Sequence, residues 1–143
     1  MEAIQINYMA VLVAVAANFF LGFLWYTPLF GKAWAREHGF DTSMKPRSGE
    51  LARGMIFMVI GNFFMAYVFA HNNAAWSFVP GADTMSTTES ILSASVFTWM
   101  GFYLPVDIGV VTWERKSWKL FGINTSYHLV MLLVVATILT VMK

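Results

Sequence analysis

The chain has 143 residues, of which 58% are hydrophobic and 12% charged, and its mean hydropathy is +0.61. Soluble domains average about 45 to 50% apolar and about 25% charged residues, so this composition excludes an ordinary water-soluble domain, and the length leaves no room for a second one. A formal net charge of +1 gives none of the basic excess that nucleic-acid binding needs, and zero cysteines exclude disulfides, thiolate metal sites and thiol catalysis.

The first apolar run covers residues 7–28 and carries no charged side chain. About 20 such residues cross the hydrocarbon core, so it reads as a membrane-spanning helix. Only Glu2 carries charge before it, where a cleavable signal would have basic residues, and it ends in Trp25 and Tyr26 at an interface, so the run is expected to be retained. The stretch 29–36 alternates apolar and basic residues at helical spacing, which suits a short helix lying flat on the membrane. Residues 39–49 turn polar, with Lys45, Pro46, Arg47, Ser48 and Gly49 reading as a water-exposed loop.

A second span is expected at about 51–71, a third at about 89–113 and a fourth at about 118–142. The third is interrupted only by Pro105 and Asp107. Four residues, Glu114 to Ser117, separate it from the fourth, so these two must form a tight antiparallel hairpin. The loop between the second and third spans contains Pro80, Gly81 and several Ser and Thr, with Trp76 at its start. The expected fold is therefore an all-α integral membrane bundle of four helices.

Orientation follows from the basic residues, which stay on the cytoplasmic side. The first loop holds Lys32, Arg36, Lys45 and Arg47, the third Arg115 and Lys116, with Lys119 at its edge, and the second none. Both termini are then outside. Trp25, Tyr26, Trp34, Trp113 and Trp118 fall at the inner boundary as interfacial anchors, and Trp76 at the outer one.

At this point the sequence resembles a known family over essentially its whole length. The marks are WYTPLFGKAW at 25–34, Gly101 with Pro105 in the third span, and Trp113 and Glu114 followed by Asn124 and Tyr127. They are similar to the small integral membrane proteins grouped as domain of unknown function 1761. The resemblance implies a mostly bacterial four-helix membrane protein, residing in the cytoplasmic membrane, and supplies no activity, cofactor or catalytic residue.

Polar residues within the spans are the functional candidates, because a charge near the bilayer centre costs about 2.5 to 3.5 kcal/mol on insertion scales. Asp107, Asn124 and His128 fall at comparable depths in the inner half, and Asn18 and Asn62 are similar or slightly deeper, so each span contributes to one polar slab. Asn124 and His128 are four apart and share a helix face with Tyr127 beside them. The competing explanations are structural: Asn as interhelical hydrogen-bond glue, Asp107 hydrated or paired with Arg115 or Lys116, and His128 satisfied locally. Gly101, Pro105 and Gly109 recur every four residues as a helix-packing seam, with Asp107 pointing roughly opposite. His38, His71 and His128 lie too far apart to share a metal, and no metal or cofactor motif is visible.

Three functional classes remain. The leading expectation is an accessory or interaction subunit packing in a larger membrane complex or a homo-oligomer. The alternative is a small proton-linked transporter using the Asp, His and Asn cluster, and the third a membrane enzyme acting on a lipid-soluble substrate. Beyond the lipid bilayer, the expected partner is a second copy or another membrane protein, and no catalytic residue is assigned.

Overall fold

Residues 4–45 and 47–143 are described in a computed structural model; Glu2 and Pro46 lie outside them. The described chain is helical, with four segments long and apolar enough to cross a membrane: Tyr8–Leu29, Ser48–Trp76, Thr87–Thr112 and Trp118–Val141. The shortest has 22 residues, about 33 Å of helix against a hydrocarbon core of about 30 Å.

The first span is α1 (Tyr8–Leu24) continued by a π turn over Trp25–Leu29. The wide turn is marked by the Phe30 amide donating to the Trp25 carbonyl, 2.8 Å away, and it accommodates Pro28, which has no N–H to give. A short α2 (Gly31–His38) follows and ends on Gly39 at φ 70°, with the Gly39 and Phe40 amides donating to the carbonyls of Arg36 and Ala35. Only a glycine takes that left-handed position without strain. Gly31 is needed for another reason: a Cβ there would sit 2.6 Å from the Tyr26 carbonyl oxygen.

The second span, α3 (Ser48–Trp76), runs past both expected ends. Nothing between His71 and Trp76 stops a helix, and the first breakers are Pro80 and Gly81. The third span begins at a capping box of Ser86 and Glu89. It consists of α4 (Thr87–Thr98), a π turn over Trp99–Tyr103 and α5 (Leu104–Thr112), so Pro105 sits just after a widened turn. Arg115, at φ 55°, turns the chain into α6 (Trp118–Val141), whose N-terminus is capped by Ser117.

The four spans stand in a row around α6. α1 packs on α3 and on α6, and α6 packs on α4 and α5, while α3 meets α6 only sparsely. The core is the strip of Val11, Ala14, Ala66, Phe69, Met131, Leu132, Val135 and Ala136. Small residues on α1 and α3 let those two backbones approach closely. α2 lies across the N-terminal end of α6, where Glu37 accepts from the Ser117 hydroxyl and stands 4.0 Å from Lys119 Nζ. Trp34 of α2 packs edge-on against Tyr26, with ring centroids 5.8 Å apart. In the following loop, hydrogen bonds from Ser43 hold the Asp41 carboxyl below the usual carboxylate range.

Candidate functional site

α5 and α6 run antiparallel, and side chains on a helix lean toward its N-terminus. Asp107 on α5 and His128 on α6 therefore lean toward each other, and His128 Nδ1 stands 2.8 Å from Asp107 Oδ2. The side chain of Asp107 is 6% exposed and that of His128 25%. One proton lies between them in either of two forms: imidazole N–H donating to carboxylate, or carboxylic acid donating to Nδ1. Arg115 and Lys116 make no ion pair among the described residues, so the basic partners considered for Asp107 are replaced by His128.

The pair is surrounded by phenols. The Tyr103 ring covers His128 at 4.8 Å between centroids, and Tyr127 flanks it at 5.7 Å. Tyr26 packs against Tyr127 at 5.0 Å and donates its hydroxyl hydrogen to Asn124 Oδ1 at 3.0 Å. Tyr26 and Tyr103 both lie in the π turns. The extra residue in each turn shifts the helix face, and both rings lie on the same patch of α6; π turns are frequent at functional sites. Neither Tyr103 nor the π turns is among the features expected from the sequence. Proline inside an otherwise unbroken span, at 28 and at 105, was the available signal.

Two tryptophans clamp α6 on either side of this patch. Trp25 donates Nε1–H to the Ile123 carbonyl at 3.1 Å, and Trp99 donates to the Thr125 carbonyl at 3.0 Å and hydroxyl at 3.1 Å. Trp25 and Tyr26, expected as membrane anchors, thus direct their polar atoms into the protein. Trp113 and Trp118 are 88% and 66% exposed and remain free to face an interface.

The five candidate polar residues separate into two groups. Asp107 and His128 are joined directly, and Asn124 lies one turn away on α6 but bonds to Tyr26. Asn18 and Asn62 lie on the α1 and α3 side, both buried, with no bonded partner for either polar atom of Asn18 or for Asn62 Nδ2. The single slab expected from depth alone divides because α6 turns residues 127 and 131 toward α1 and residues 125 and 128 toward the third span.

The seam is open within the chain. A Cβ at Gly101 would meet nothing within 4 Å, and one at Gly109 only the Trp113 side chain at 4.0 Å. Asp107 points to the opposite, buried side of α5. His38 and His71 each bond a carbonyl four residues back, of Trp34 and Tyr67, and no cluster able to hold a metal ion occurs among the described residues.

The family model described as "Protein of unknown function (DUF1761)" matches residues 9–140. No curated protein and no solved structure matches the chain significantly.

Proposed function

The chain belongs to the DUF1761 family, whose description assigns no activity, and from its own residues we propose a small proton-linked transporter that works as a homo-oligomer in a bacterial cytoplasmic membrane. The observation carrying this reading is the buried Asp107 carboxyl bonded to His128 at 2.8 Å between two spans. An acid and a base in direct contact, with a spare imidazole nitrogen and phenols around them, can accept a proton on one side and release it on the other. Oligomer formation is part of the proposal because the row of spans has two open ends, α3 and the third span, and closing a path across the membrane takes a second copy.

The test uses protein reconstituted in liposomes with a trapped pH-sensitive dye and an imposed membrane potential. The native chain is expected to move protons; Asp107→Asn and His128→Gln should stop the flux while circular dichroism shows an intact bundle. Flux in Asp107→Asn equal to that of the native chain would defeat the proposal.

The accessory-subunit reading is supported by a different observation, the exposure of the third span. Its most apolar stretch is 11% buried against 39% for the fourth span. Native mass spectrometry after gentle extraction separates the two: a stoichiometric partner of another sequence favours the accessory role, and a pure homo-oligomer counts against it.

A further inference from the structure

Basic side chains from two loops far apart in the sequence meet at one corner of the fold. Only Phe30 separates the first span from α2, and residues 113–117 join the third span to α6. Both segments therefore lie where the spans leave the hydrocarbon core, level with lipid headgroups. Glu37 ties them together by accepting from the Ser117 hydroxyl and standing 4.0 Å from Lys119 Nζ. Arg36 precedes Glu37 and Lys116 precedes Ser117, so two further cations flank the bond that joins the segments. Lys32 lies one turn before Arg36 on the same face of α2, and Arg115 completes the group.

Five basic residues thus stand against two acidic ones, Glu37 and Glu114, while the whole chain has a formal net charge of +1. The rest of the molecule is on balance acidic, so the fold concentrates positive charge here. Among the described residues only Lys119 of the five has an acid within ion-pairing distance. Lys32, Arg36, Arg115 and Lys119 are exposed, and Lys116 is partly so. Arg115 takes its turn at φ 55°, a conformation glycine adopts without steric cost, so a guanidinium is held at this corner against backbone preference. Exposed Trp113 and Trp118 border the group, and Trp118 packs edge-on against Phe121, one turn further along α6, with ring centroids 5.3 Å apart. Exposed indoles at the ends of spans sit at headgroup level, which sets the cations against lipid and not against open water.

We propose that this corner binds the headgroup of an anionic phospholipid, with the phosphate between α2 and the hairpin loop and an acyl chain along the Trp118 and Phe121 rings. Lysines and arginines gathered beside membrane spans attract anionic headgroups, and a guanidinium can grip two phosphate oxygens at once. The site is separate from Asp107 and His128 and stands whether or not the chain moves protons.

Native mass spectrometry of the intact chain in detergent micelles, titrated with phosphatidylglycerol or with phosphatidylcholine of the same acyl chains, tests the site. Phosphatidylglycerol is expected to bind roughly tenfold more tightly, because several basic side chains act on one phosphate, and this preference should shrink as ionic strength rises. The double variant Lys32→Gln with Lys116→Gln should lose most of the preference. Lys45→Gln with Arg47→Gln removes the same charge from the polar loop and should retain it. Equal affinity of the native chain for the two lipids overturns the proposal even if neither variant folds. An equal loss in both double variants also overturns it, since net charge and not this corner would then be responsible. Displacement of bound phosphatidylglycerol by an equal concentration of inorganic phosphate would assign the corner to a soluble anion and defeat the lipid site.

Discussion

Removing Asp107 and His128 singly and together measures what their contact contributes. Interhelical hydrogen bonds in membranes average about 0.6 kcal/mol and reach about 1.7, whereas bonds to a charged group contribute about 1.5 to 3. Here the carboxyl is almost fully buried at 6% exposure, the separation is 2.8 Å, and Tyr103 shields the ring, so little water competes. A coupling energy of about 1.5 to 2 kcal/mol is expected between Asp107→Ala and His128→Ala, at the top of the membrane range. His128→Ala should be the costlier single change, because it leaves the carboxyl without its partner where a charge costs about 2.5 to 3.5 kcal/mol. The assay is reversible unfolding in mixed micelles of increasing SDS fraction, followed by circular dichroism. Additive single effects, with coupling below about 0.5 kcal/mol, would refute the view that the pair forms a desolvated proton-sharing contact.

Other expectations follow from particular positions. Gly31→Ala puts a Cβ 2.6 Å from the Tyr26 carbonyl; a loss of about 1 to 3 kcal/mol and faster proteolysis near residues 39–47 should follow. Gly61→Ala, with nothing within 4 Å of the new Cβ, should be neutral or up to about 1 kcal/mol more stable in the same unfolding assay. Gly101→Leu should leave the monomer's unfolding unchanged, since a Cβ there meets nothing within 4 Å, but should dissociate the proposed oligomer in native mass spectrometry. With no native cysteine, single cysteines at Ser48 and Asp83 report topology cleanly: a membrane-impermeant maleimide should label position 83 in intact cells and position 48 only after lysis. The reverse pattern would overturn the proposed orientation.

The spans were legible because lipid imposes one requirement on every residue in them, and an uncharged run such as 7–28 meets it without reference to any neighbour. Helix ends were less so. The expected end at about residue 71 fell short of Trp76, because the polar Asn72 and Asn73 do not end a helix that meets no proline or glycine. The contact between Asp107 and His128 could be anticipated from the four-residue hairpin that ties their depths together. The fate of Asn124 could not, because its partner Tyr26 is 98 positions away and reaches it through a π turn that no periodicity announces. Depth placed Asn18 and Asn62 close to the pair, but the side of α6 they occupy depends on how the helices pack.

The central place of α6 also bears on how the molecule comes into being. The first and third spans both pack on this helix, and it follows both of them in the chain. At roughly 5 to 20 residues per second, α1 waits on the order of 6 to 23 seconds between its own emergence and that of α6, the later of the two helices it packs against. During that interval the half-made bundle carries Asp107 without His128 and Trp25 and Trp99 without their carbonyls. Insertion must therefore tolerate unpaired polar groups, or shelter them, until translation passes residue 141.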